Sequence, residues 1–233
     1  MLIPWRWGPY AMSMPTTLPL FPLGSVLFPG VVMPLRVFEP RYRQLVEDLQ
    51  ALPDGMDQRF GVVAIKDGRE VGEGNVRSVY EYGCSAQISA VDAADDGSYS
   101  LVTTGVERFR VLSADLGGSP YPTGEVEFLS DTPGEDADSL RTPATAQFLG
   151  YQRALSGLRG VRVGPLPQLP DDATVLSYLI AATMIIDLRE KHSLLAAADT
   201  ATRLRREQAL LRREALLIQE LRSLPAVDLL KRD

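Results

Sequence analysis

Leu18-Pro19-Leu20-Phe21-Pro22-Leu23, Val26-Leu27-Phe28-Pro29-Gly30, Met33-Pro34-Leu35-Arg36-Val37-Phe38-Glu39 and Arg41-Tyr42 follow one another near the start of the chain, and their reading decides the fold. Each is a short apolar run broken by proline. Proline fixes φ and removes a backbone donor, so such runs read as extended structure at edges or irregularities. Residues 18–23 predict an edge or irregular strand and residues 31–37 a second strand. Gly30 serves a turn. Pro40 suits the first helical position, and Tyr42, Leu45, Val46 and Leu49 then fall on one helical stripe.

Outward from there, residues 60–65, 76–91, 99–104, 108–112 and 123–129 carry strand signals, and Asp96-Gly97 marks a hairpin turn. Gly83 reads as a turn or bulge residue. Residues 130–139 are rich in Asp, Glu, Pro and Gly and read as a solvated linker. The texture then becomes helical. Thr142-Pro143 predicts a cap followed by the first helical residue, residues 160–170 a Pro/Gly loop, and Asp172 or Thr174 a cap for a helix through Val175, Leu179, Ala182, Ile186 and Leu188. A further element begins near 191–197. A last helix over 199–224 repeats Leu204, Leu211, Ile218 and Leu210, Leu217, Leu224 at heptad spacing. The expected organisation is a disordered tail at 1–15, a β-rich unit at 16–130, a linker at 131–141 and a helical unit at 142–233. The fold class is α+β: a mainly antiparallel β half with one helix, then an α-helical bundle.

With 233 residues and a net charge of −6, the chain is long enough for a substantial core and argues against general affinity for nucleic acid. No apolar run reaches a membrane span, and 1–12 lack the features of a signal peptide. The single Cys84 fits a reducing compartment, so a cytoplasmic location is expected.

The residues that catalysis would need are scarce. Lys66, Lys191 and Lys231 are the only lysines, and none follows Gly or precedes Ser or Thr, so no phosphate-binding P-loop is present. The glycine-rich segment 68–74 reads as a turn between strands. There is no G-x-S-x-G elbow. His192 sits at what reads as an exposed helix boundary, and Cys84 reads as a small core residue. One Cys and one His do not build a zinc site. The reading is no enzyme, no cofactor and no metal.

The ordered motifs quoted above resemble the start of the Lon protease N-terminal, substrate-binding domain. Phe60-Gly61-Val62-Val63, Tyr82-Gly83-Cys84-Ser85-Ala86-Gln87-Ile88 and Gly105-Val106-Glu107-Arg108-Phe109-Arg110-Val111 resemble later segments of that family. Cys84 stands where threonine is common. The resemblance implies a PUA-like pseudo-barrel closed by a helical bundle. Because the sequence stops at Asp233, it also implies the binding part without the AAA+ ATPase or the Ser–Lys peptidase. The expected function is a non-catalytic polypeptide-binding module, an adaptor or chaperone-like protein in quality control. Its expected partners are unfolded or tagged polypeptides and a separate protease or ATPase. Expected contacts are Phe28, Arg36, Phe38, Arg41, Tyr42 and Tyr82, with Arg36, Glu39 and Arg41 as a local ion-pair network. The heptad-like last helix leaves a homodimer open. The alternative is a nucleic-acid-binding PUA-like protein using Arg203, Arg205, Arg206, Arg212, Arg213 and Arg222. Glu207, Glu214 and Glu220 interleave with these, as on a solvated, ion-paired face.

Overall fold

The computed structural model describes residues 14–53, 58–72, 76–118, 120–158 and 169–223. Six strands, β1 (Thr16–Leu23), β2 (Val32–Val37), β3 (Arg59–Gly68), β4 (Val76–Ala93), β5 (Tyr99–Asp115) and β6 (Thr123–Leu129), form one sheet. Its order is β2-β5-β4-β3-β1-β6, and a β5–β6 pairing closes five of the strands into a ring. The pairings are antiparallel except β1 with β3, so the sheet is mixed.

The first strand corrects an expectation. β1 is not an edge: 16–19 pair with β6 and 20–23 with β3. Its two prolines are tolerated because the strand changes partner along its length. The true edge is β2, which pairs only with β5. The two strand signals at 99–104 and 108–112 belong to one long strand. At its middle, Gly105 bonds to the 28–31 loop, donating to Val31 O at 2.9 Å and accepting from Gly30 N at 2.8 Å. A side chain there would collide with the Phe28 backbone. Gly83 lies in mid-strand, not in a turn. Together with Gly61 it leaves the space that the fully buried Phe109 ring fills.

Helix α1 (Pro40–Gln50) begins on Pro40 as expected and buries Tyr42, Leu45, Val46 and Leu49. These pack on Phe21, Phe60, Val62 and Leu101 of the sheet and on Leu27 of the β1–β2 connection.

The helical half comprises α2 (Ala137–Leu158), α3 (Ala173–Thr183), α4 (Leu188–Leu195) and α5 (Thr200–Ser223). α2 starts six residues before Pro143, inside the stretch read as linker, and Pro143 lies within it. The buried stripe of Ala137, Ala144, Phe148 and Tyr151 explains why: packing on Leu204 and Leu211 extends the helix through the proline. The rest of the linker is held as well, because Thr132 O and Pro133 O accept from the Thr200 and Ala201 amides at the start of α5. Asp172 caps α3 by accepting from the amides of Thr174 and Val175. The helix read through Leu188 breaks after Thr183, and Asp187 caps a separate α4. In α5, Leu204, Leu211 and Ile218 are buried, whereas Leu217 is 46% exposed; Leu224 and most of the 160–170 loop lie outside the described residues.

A third apolar cluster, with Val26, Phe28, Ala64, Tyr178, Ala181 and Leu195, joins the two halves. Beside it runs a buried polar network. Arg108 of β5 bonds to Asp131 Oδ1 at 2.7 Å and donates to Leu195 O at 2.8 Å and Ala197 O at 2.7 Å. Tyr178 donates to the same Asp131 oxygen at 2.6 Å, and its ring lies 3.8 Å beneath the Arg203 guanidinium.

Candidate functional site

The end of β2 and the start of α1 meet the β3–β4 loop at a groove of about 230 Å³. Local sequence makes most of it. Arg36 is exposed on the edge strand, and Phe38 fills the step between strand and helix with 53% of its surface exposed. Glu39 occupies the helix N-cap but makes no side-chain cap bond; its carboxylate meets Arg41 at 3.1 Å. Arg41 lies 4.5 Å over the Tyr42 ring and donates to Gly72 O at 3.3 Å. Glu70 accepts from the Gly24 amide at 2.8 Å. Those last two bonds hold the loop in place and bring Val71, 56% exposed, to the groove.

Tyr42 is the inner wall. It is only 3% exposed and stacks on Phe21 at 4.2 Å. Its hydroxyl has no hydrogen-bond partner among the described residues. Burial pushes this hydroxyl up to about 12, with Arg41 opposing the shift, so it stays protonated at neutral pH and can donate. An unpartnered buried hydroxyl costs about 1–3 kcal/mol. The groove thus offers two exposed apolar side chains, Phe38 and Val71, beside the buried Tyr42, which suits a bulky apolar side chain.

The structure brings Arg36, Phe38 and Tyr42 together on this groove, with Arg41 beneath. It places the other two expected contacts elsewhere. Phe28 is fully buried against Tyr178, with ring centroids 6.2 Å apart. Tyr82 lies at the junction of the two halves, where its amide donates to His192 Nε2 at 3.3 Å. The ion-pair network is smaller than expected, since Arg36 pairs with Asp96 at 3.3 Å instead of joining Glu39 and Arg41. Val71 and Glu70 were missed. The available signal was one valine isolated among glycines and charges in Gly68-Arg69-Glu70-Val71-Gly72.

The residues considered for catalysis are otherwise engaged. Cys84 is fully buried, and burial pushes its thiol well above the ordinary range. His192 is not at an exposed boundary. It is half-buried with its ring 4.3 Å from that of Tyr80, and burial lowers its pKa. Among the described side chains the arginines of α5 form no continuous basic face: Arg203 is buried, Arg206 donates to Ser193 O, and Arg213 pairs with Glu190 and Glu214; the Arg222 side chain lies outside them. Glu207 is also fully buried, contrary to the solvated face expected of it. Among the described residues there is no cluster of metal-ligating side chains. No described helix is long and apolar enough to cross a membrane.

Comparison with known proteins places this arrangement. Residues 17–213 match the family model for the ATP-dependent protease La (Lon) substrate-binding domain. A Lon protease 2 of Myxococcus xanthus is 30% identical over 219 residues, which is 89% of this chain and 25% of that protein. The chain therefore spans about a quarter of the length of such relatives. A Lon N-terminal domain protein from Xanthomonas campestris superposes with a TM-score of 0.61 at 32% identity, covering 84% of this chain and 97% of that one. The N-terminal domain of a Mycobacterium avium complex Lon protease gives a TM-score of 0.59 at 16% identity over 86% of this chain and 98% of that one, a likeness of fold.

Proposed function

The chain belongs to the Lon substrate-binding domain family, and from that premise we propose that it binds segments of unfolded polypeptide in the groove between Phe38, Tyr42 and Val71. One observation carries the reading: two exposed apolar side chains, Phe38 and Val71, rim a groove whose lining also includes the buried Tyr42. Unfolded polypeptide supplies the bulky apolar side chains that such a groove takes. In this reading the domain holds its client without altering it. It serves as an adaptor in protein quality control, and a separate protease or ATPase performs the chemistry.

The test is fluorescence anisotropy of a labelled, permanently unfolded polypeptide titrated with the protein. Phe38→Asp and Val71→Asp should each weaken binding about tenfold or more, since each places a charge in an apolar contact. Both side chains are exposed, so the thermal melt should not move. Unchanged affinity in both variants would overturn the assignment of this groove.

A further inference from the structure

A second groove, of about 940 Å³, lies between the barrel and α4 and shares no lining residue with the first. Its cations come from both halves: Lys66 and Arg77 from β3 and β4, and Arg189 from α4. All three are exposed. Neither Lys66 nor Arg189 has an ion-pair or hydrogen-bond partner among the described residues. Arg77 reaches Asp67 only at 3.9 Å, with both side chains largely in solvent. The one carboxylate of the groove, Glu81, is engaged by Arg110 at 2.6 Å. Val79, Val111 and Leu112, the last 46% exposed, give the groove apolar surface beside the hydroxyls of Ser78, Ser113 and Ser193. Three weakly engaged or unpaired cations in one groove that also exposes Leu112 stand out on a chain whose net charge is −6.

We infer that this groove is a docking site for an acidic segment of a partner protein, one in which carboxylates alternate with large aliphatic side chains. The carboxylates meet Lys66, Arg77 and Arg189, and the aliphatic groups cover Leu112 and its neighbours. Charge complementarity of this kind sets the partner and the association rate more than the affinity. Nucleic acid fits the groove less well. A phosphate backbone needs a longer run of cations than three. Tyr80, the aromatic ring here, already has His192 packed on it at 4.3 Å and is not a free stacking platform. The inference does not depend on the Phe38 groove, because each can bind or fail alone.

The probe is a labelled short peptide in which Glu and Asp alternate with Leu, followed by anisotropy at low and high salt. The expected result is saturable binding that weakens with salt, falls about tenfold in Lys66→Glu and in Arg189→Glu, and falls less in Lys66→Gln and Arg189→Gln. Arg153→Glu, an exposed arginine of α2 outside the groove, should bind like the parent, and so should Phe38→Asp. These positions are exposed, so unchanged circular-dichroism melts show that the variants are folded. Absence of saturable binding would overturn the proposal, as would equal affinity in both charge reversals. So would displacement of the peptide by lower concentrations of a single-stranded oligonucleotide than of unlabelled peptide.

Discussion

Glu207 is the residue whose environment departs most from what its neighbours suggest. At helical spacing from Arg203 it reads as half of a surface ion pair. In the structure it is fully buried, and neither carboxylate oxygen has a partner among the described residues. Arg203 is turned instead to Ser177 Oγ at 2.8 Å and to the face of Tyr178. Burial raises the Glu207 pKa well above its ordinary 4.5, and the attraction of Arg203 only partly opposes this. The folded state therefore holds the proton more tightly than the unfolded chain does. This contribution to stability is complete below the unfolded pKa of about 4.5 and is lost as pH rises toward the folded pKa. Glu207→Gln removes the ionisation while keeping the shape. It should raise the melting temperature at pH 8, by the equivalent of about 1–3 kcal/mol, and flatten the decline between acid and alkaline pH. Thermal melts of both proteins across that range are the measurement, and parallel declines would refute the account. The spacing along α5 was legible; the burial was not, because α2 and α3 impose it from distant positions.

Among the elements, α1 was readable almost to the residue because its signals are local: Glu39-Pro40 at the start and a four-residue apolar stripe after it. Leu45→Ala should cost about 2–5 kcal/mol, measured by urea unfolding, since Leu45 is 1% exposed within the sheet-facing cluster. α2 was misjudged at its start because a cap-like Thr142 before Pro143 is also a local signal, and tertiary packing of Ala137 overrode it. Pro143 cannot donate to the preceding turn, so Pro143→Ala should restore a helical bond and raise stability by about 1 kcal/mol or more. A lower melting temperature would show that the helix bends there to pack. The same division holds for the groove. Arg36, Phe38 and Tyr42 are sequence neighbours and could be found together. Val71 arrives through the Arg41–Gly72 and Glu70–Gly24 bonds, which join residues 31 and 46 positions apart and leave no periodic trace.

For the whole molecule the decisive residue is Arg108, 3% exposed, which ties the barrel to the linker through Asp131 and to the end of α4 through two carbonyls. Arg108→Ala leaves the two carbonyls without this donor and the Asp131 carboxylate with Tyr178 but no cation. It should cost about 3–5 kcal/mol, the usual penalty for removing one member of a buried pair. It should also separate one unfolding transition into two, the helical half and the barrel melting apart, as followed by calorimetry. Arg108→Lys should not rescue it, because a single ammonium cannot reproduce the guanidinium fork. A single transition of unchanged midpoint would show that the apolar junction alone couples the halves.

The closed ring of strands also sets an order of events during synthesis. Thr16 of β1 pairs with Val126 of β6, more than a hundred residues later. At translation speeds of about 5–20 residues per second, β1 leaves the ribosome roughly 5–20 s before that partner has been made. Through that interval the amides and carbonyls of residues 16–19, which pair with β6, wait for that partner and can template another extended chain. Pro19, which the finished sheet merely tolerates, removes one of those donors while the segment waits. The waiting segment thus has one donor fewer to offer a wrong partner before the barrel shuts.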